Sequence, residues 1–288
     1  MSVAQSQGGN VLICMFIAAV LNGITLTQAF YYYRAYSDDR RSLKAVVAVI
    51  SALETLHTVY CLTWAYVYLI NHFGDVDNFD HIYWTISTTV VISVLVAGIV
   101  HCYYVRRVWY MSNKNKLLTV VIALLAIMRF SFGITVAAFC YYIPHWSTFR
   151  SHEYANAVVG VALASAASVD ILAALSLIYY LRKTRPGLHL ADSRVNVLTV
   201  YIVNTGLITS VFSLIILVTF VALRSNLVFL AFVEIQSRLY ANSFLASLNA
   251  RQTLRNQGVN VQFSSYDFDD QAGSPNTVNL TSMTDGDT

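Results

Sequence analysis

The sequence predicts an all-α protein: a polytopic membrane bundle of seven transmembrane helices, N-terminus outside and C-terminus in the cytoplasm. Three observations carry that expectation. Hydrophobic residues make up 57% of the 288-residue chain and charged residues only 11%, where soluble domains hold about 25% charged residues to cover a watery surface. The apolar residues gather into seven stretches, 11–33, 45–70, 82–105, 117–143, 154–181, 195–223 and 227–249, each long enough for the roughly 20-residue helix that crosses a hydrocarbon core about 30 Å thick. Nearly all charges lie between these stretches, as lipid requires when helices satisfy their own backbone and loops stay in water.

The elements follow in order. Residues 1–10 read as a short extracellular N-terminus without a basic cluster, and 11–33 is too long for the core of a cleavable signal peptide, so it reads as an anchor. Arg34, Arg40, Arg41 and Lys44 separate it from 45–70. An acidic loop from His72 to His81, with Asp75, Asp77 and Asp80, leads into 82–105, which ends at Arg106 and Arg107 before Lys114 and Lys116. The fourth stretch stops at Pro144, and Arg150 alone adds positive charge before the fifth. Arg182, Lys183, Arg185, Pro186 and Arg194 divide the fifth from the sixth, and Arg224, Ser225 and Asn226 turn the sixth into the seventh as a tight helical hairpin. No proline falls inside a stretch, so no proline kinks are expected. Lys and Arg concentrate on alternate loops, and the excess marks the cytoplasmic side. Residues 250–288 turn polar and acidic and read as a disordered cytoplasmic tail.

Five formal charges remain inside the stretches: Glu54, Arg129, Asp170, Glu234 and Arg238. Each costs a few kcal/mol to insert, so each is expected to face the bundle interior. Counting at 1.5 Å per residue from the cytoplasmic ends places Glu54, Arg129, Asp170 and Arg238 near one depth, with Glu234 one turn further out. Glu234, Arg238, Asn242 and Asn249 follow a helical spacing and share a face, as do Glu54, His57, Cys61 and Trp64. With Asn204 of the sixth stretch, these define a candidate buried polar layer: Glu54, His57, Arg129, Asp170, Asn204, Glu234, Arg238, Asn242 and Asn249. Two readings stay open. One is a ligand site, proton or ion path, or conformational switch; the other is a structural network of compensating charges.

Several activities are excluded or unsupported. A retinal Schiff base needs a lysine in the seventh span, but Lys44, Lys114, Lys116 and Lys183 all sit at the cytoplasmic edge. The third span ends His101-Cys102-Tyr103-Tyr104-Val105-Arg106-Arg107 rather than in an acidic-Arg-Tyr triplet, and the seventh lacks proline, unlike rhodopsin-like receptors. Only His57 and His101 lie in spans, so a three-histidine zinc site is not available. Cys14, Cys61, Cys102 and Cys140 show no metal spacing and read as apolar packing. No catalytic residue, metal or cofactor is expected, and the chain reads as a non-enzyme. A net charge of +3 gives no basis for nucleic acid as a partner. The acidic outer loop reads as solvated. The basic inner loops read as topology signals touching anionic lipid, with a cytosolic partner as the alternative.

Stretches in a fixed order carry a family resemblance: Asp39-Arg40-Arg41-Ser42-Leu43-Lys44 leading to Leu53-Glu54-Thr55-Leu56-His57-Thr58; His101-Cys102-Tyr103-Tyr104 with Arg107-Val108-Trp109; Asp170-Ile171-Leu172-Ala173-Ala174; Tyr201-Ile202-Val203-Asn204-Thr205-Gly206; and Arg238-Leu239-Tyr240-Ala241-Asn242 through Asn249. In these the chain resembles a family of basidiomycete fungal seven-transmembrane proteins whose C-terminal half is a domain of unknown function. The resemblance implies topology and carries no activity. Arg129 lies outside the matching stretches. The expectation is a receptor-like seven-helix sensor in the lipid bilayer, more in keeping with the plasma membrane than internal ones. Its expected ligand is small and apolar, or a lipid. A small-molecule or proton-coupled transporter or channel, or a structural membrane protein, is the alternative.

Overall fold

A computed structural model describes residues 3–75, 77–183, 193–223 and 228–255. The linker with Arg185, the hairpin turn at 224–226 and the tail beyond Arg255 lie outside the described residues, as does the side chain of Asn204. Regular structure among the described residues is helical, with one isolated β-bridge between His81 and His145. The helices are α1 (Val3–Ala35), α2 (Arg41–Tyr66, continued by a π turn Val67–Asn71), α3 (Trp84–Met111), α4 (Lys116–Tyr142), the short α5 (Trp146–Ser151), α6 (Glu153–Lys183), α7 (Ser193–Ala222) and α8 (Val228–Arg255). Helix overruns the apolar stretches at both ends of the chain. It begins at Val3, inside the segment read as an N-terminal arm, and runs past Asn249 to Arg255, because a helix keeps its backbone bonded beyond the point where side chains stop being apolar.

Among the described residues five helices are long and apolar enough to cross a membrane: Leu12–Ala35, Arg41–Asn71, Trp84–Met111, Lys116–Tyr142 and Glu153–Tyr180. In α7 a shorter apolar helix runs over Gly206–Ala222. The chain is thus a multi-pass membrane protein. α8 is different because it carries Glu234, Gln236, Ser237, Arg238, Asn242, Ser243, Ser247 and Asn249. Its position accounts for its polarity. α8 packs against α1, α2, α3 and α7, and no residue from Phe229 to Leu248 is exposed.

The molecule is consequently apolar outside and keeps Glu54, Asp170, Glu234 and Arg238 within, among apolar core clusters. Phe16 is 66% exposed, Leu124 58% and Val218 60%, while Arg238 is 0% exposed. Hydrocarbon as solvent produces that inversion, since an ionised group turned outward would lose all its partners.

Small residues bring α3 and α4 together. A Cβ placed on Gly133 would stand 2.7 Å from Val94 Cγ2, so a side chain there forces the helices apart. Gly133→Leu is expected to lower stability by about 1–3 kcal/mol, seen as a lower melting temperature of the purified protein. Gly23→Ala, where the added Cβ meets nothing within 4 Å, is expected to leave it unchanged. Equal shifts in the two would contradict this packing.

The loops after α2 and α4 are bonded to one another. Ile82 N–H donates to Pro144 O at 2.7 Å, and Tyr68 O–H donates to the His81 carbonyl. Asp80 accepts from Ser147 N–H at 2.7 Å and from its hydroxyl at 2.6 Å, capping the first turn of α5. Asp80 is therefore a structural acceptor within a loop that is otherwise largely exposed.

Candidate functional site

The first cluster joins α2 to α8. Glu54, His57, Cys61 and Trp64 recur every three or four residues, so one face of α2 carries all four, and all four are buried. Opposite them α8 presents Glu234, Ser237 and Arg238, one helical turn spanning the acid and the base. Arg238 is the hub. Its Nη1 donates to the Glu234 carbonyl at 2.8 Å and meets His57 Nδ1. Its Nη2 reaches Thr58 Oγ1 at 3.3 Å and Cys61 Sγ at 3.6 Å.

The carboxylates close the cluster. Glu234 Oε2 lies 3.1 Å from His57 Nε2 and 3.6 Å from Arg238 Nη1. It accepts from the Cys61 thiol at 3.0 Å, while Oε1 accepts from Thr89 of α3 at 2.9 Å. Glu54 Oε1 accepts from Ser237 at 2.7 Å. Arg238 has only donors, so the His57 nitrogen it meets acts as acceptor and the ring proton sits on Nε2, facing Glu234. Glu54, His57 and Arg238 are each 0% exposed.

Three atoms in this cluster make no hydrogen bond: Glu54 Oε2, His57 Nε2 and Arg238 Nε. The first and last face each other at 3.6 Å, beyond the reach of a hydrogen bond. The cluster is thus packed but not fully bonded.

The second cluster joins α6 to its neighbours. Asp170 Oδ1 lies 3.0 Å from His101 Nε2 of α3. Asp170 Oδ2 accepts from Ser213 of α7 and from Tyr240 O–H of α8 at 2.5 Å. Gln236 donates to Ser213 Oγ at 2.5 Å and to Tyr240 at 3.1 Å. Arg129 of α4 completes the set, with Nη1 3.1 Å from His101 Nδ1 and its guanidinium 4.5 Å above the Tyr240 ring. One anion and one cation balance here, with the imidazole between them.

A third group lies along the α1–α8 seam. Asn242 Nδ2 donates to Leu21 O at 3.0 Å and to Arg238 O at 2.9 Å. Asn249 Nδ2 donates to Gln28 O at 2.9 Å, and Tyr36 O–H to Asn249 O at 3.0 Å. These asparagines satisfy backbone carbonyls of a neighbouring helix, a structural use.

The expected single layer is therefore three separate groups. Glu54, His57, Glu234 and Arg238 come together; Arg129 and Asp170 meet through His101; Asn242 and Asn249 serve the α1 seam. The reason is helical drift. Each four-residue step turns a side chain about 40° past a full turn, which carries Asn242 away from α2 toward α1. Cys61 is likewise bonded to Glu234 rather than merely packed.

His101, Thr58, Thr89, Ser213, Gln236, Ser237 and Tyr240 are participants that sequence reasoning missed. Gln236 and Tyr240 are four apart and interleave with Glu234 and Arg238, a second polar face on α8 that the spacing alone displays. Thr89 and Ser213 carry no charge and leave no such signal.

Among the described residues one group has ligand atoms placed for a metal ion: His57, Cys61 and Glu234, all within 4.8 Å of one another. His57 and Cys61 stand one turn apart on α2, and Glu234 comes from α8.

No curated protein and no solved structure matches the chain. Residues 166–253 match a family of unknown function (DUF6534). That stretch is similar to the family over α6, α7 and α8, and it supplies Asp170, Ser213, Glu234, Gln236, Arg238 and Tyr240, the α6–α8 side of both ionic clusters.

Proposed function

We propose that this is a seven-span, non-enzymatic membrane protein, N-terminus outside and C-terminus in the cytoplasm, of the fungal seven-helix kind its sequence resembles, working as a receptor-like sensor in the plasma membrane. A small apolar or lipid ligand at the outer side or within the bundle biases helix packing, and the basic inner loops pass the change to a cytosolic partner. One observation carries this reading: the central helix α8 holds both ionic clusters, on different sides. A displacement of α8 that alters one cluster alters the other. Near its inner end Ser247 accepts from Arg107 of α3 at 2.6 Å, so the same displacement reaches the basic loop after α3.

The second reading, a proton-coupled transporter, is favoured by the two imidazoles, each set between a guanidinium and a carboxylate. The test uses a cysteine in place of exposed Asn113, in a background with Cys14 and Cys102 changed to serine, and compares labelling rates in liposomes with and without Asp170→Asn. Sensing predicts a labelling rate changed severalfold and no solute or proton flux. Flux that disappears in Asp170→Asn selects the transporter. A change in thermal stability alone, with neither labelling nor flux affected, rejects both and leaves a structural role.

A further inference from the structure

We infer that the α2–α8 cluster is a binding site for a borderline-to-soft divalent transition metal ion, zinc being the type, held by His57 Nε2, Cys61 Sγ and Glu234 Oε2. The inference goes beyond the sensing reading and does not depend on it.

The thiol of Cys61 and the Nε2 side of His57 both converge on Glu234 Oε2, at 3.0 and 3.1 Å. In a tetrahedral zinc site with bonds of about 2.0–2.3 Å, ligand atoms stand roughly 3.3–3.8 Å apart. Opening these contacts by a few tenths of an ångström puts a metal where the S–H and Nε2–H protons now lie.

The donor set selects the ion. Sulfur, imidazole nitrogen and one carboxylate oxygen suit zinc and its neighbours, whereas calcium and magnesium want oxygen throughout. Three protein ligands leave a fourth position open for water or a solute.

The orphaned atoms give an independent reason. His57 Nε2 is buried and faces Glu234 Oε2 at 3.1 Å without the alignment of a hydrogen bond. A metal on Nε2 moves the ring proton to Nδ1, where Arg238 Nη1 now stands, so Arg238 must turn away. Glu54 Oε2 and Arg238 Nε, both buried, both unbonded and 3.6 Å apart, mark where it goes. A shift toward Glu54 completes the pair that is unfinished here.

Two carboxyl groups, Glu54 and Glu234, face the single guanidinium of Arg238 at a buried place. Metal binding releases the Cys61 thiol proton to solvent, and the thiolate joins the donors around a divalent cation.

The experiment is a Co2+ titration of the purified full-length chain in detergent after chelator treatment. The expected result is one Co2+ per chain, with a thiolate-to-cobalt charge-transfer band in the near ultraviolet that Zn2+ abolishes by displacement. The band is expected to persist when Cys14, Cys102 and Cys140 are all serine, which leaves Cys61 as the sole thiol. In Cys61→Ser, whose hydroxyl can still donate to Glu234, the band is expected to vanish and affinity to fall at least about tenfold. Absence of the band from the folded Cys61-only protein overturns the inference, as does a band undiminished in Cys61→Ser. Neither result bears on whether α8 moves in sensing, which the labelling experiment reads separately.

Discussion

Arg238→Met is expected to cost about 3–5 kcal/mol, because it strands Glu54 and Glu234 as buried charges without a cation. That is a large share of the 5–15 kcal/mol that holds a typical domain folded. The substitution also removes the donor to Thr58 and the contact to His57, and with them most of the polar tie between α2 and α8. Little monodisperse protein is expected on size-exclusion chromatography. The cost belongs to the imbalance rather than to arginine itself. Adding Glu54→Gln and Glu234→Gln to Arg238→Met is therefore expected to recover most of the folded protein, since a neutral set of similar shape leaves no charge stranded. A single variant that melts like the parent would mean that the cluster does not hold the helices together.

Asp170→Leu is expected to be nearly as damaging. Its carboxylate is the common acceptor for His101, Ser213 and Tyr240, so removing it leaves His101 and Tyr240 unmet, while Ser213 retains the Thr209 carbonyl at 3.0 Å, and leaves the Arg129 charge unbalanced. Each unmet buried group costs about 1–3 kcal/mol. Asp170→Asn keeps one acceptor oxygen and is expected to fall between parent and Asp170→Leu, at about 1–3 kcal/mol. The expected order of melting temperatures is parent, Asp170→Asn, Asp170→Leu. Arg129→Met combined with Asp170→Leu is expected to lose less than the sum of the two single changes, because the pair neutralises together. Additive losses would show that Arg129 and Asp170 do not interact across His101.

The parts legible in the sequence are those written as a period along one helix. Apolar stretches longer than a bilayer core foretold the long helices, and the three- and four-residue steps of Glu54, His57, Cys61 and Trp64 foretold a buried face on α2. Glu234 and Arg238 one turn apart foretold their contact. Partners between helices were not legible, because nothing along the chain records that Asp170 of α6 meets His101 of α3. A lone histidine in an apolar span looks the same whether it packs or bonds. The division of α8 into faces toward α2, α6 and α1 was hidden for a further reason: drift between a four-residue step and the 3.6-residue turn separates Asn242 from Glu234 only once neighbouring helices are in place. The sequence reads 227–249 as one more apolar stretch, and the enclosure of α8 by the bundle, with no residue from Phe229 to Leu248 exposed, belongs to the tertiary structure.

Hydrocarbon surrounds this bundle, and its buried ionised groups turn inward to one another. Nitroxide labels at positions 62, 124 and 218, with Cys14 and Cys102 changed to serine, measure it in proteoliposomes. Leu62, Leu124 and Val218 are all more than half exposed on the outside of α2, α4 and α7. The account predicts high collision rates with oxygen and low rates with a water-soluble nickel chelate at all three positions. Ready access of the nickel chelate to position 124 would place water where this structure requires lipid, and would contradict it.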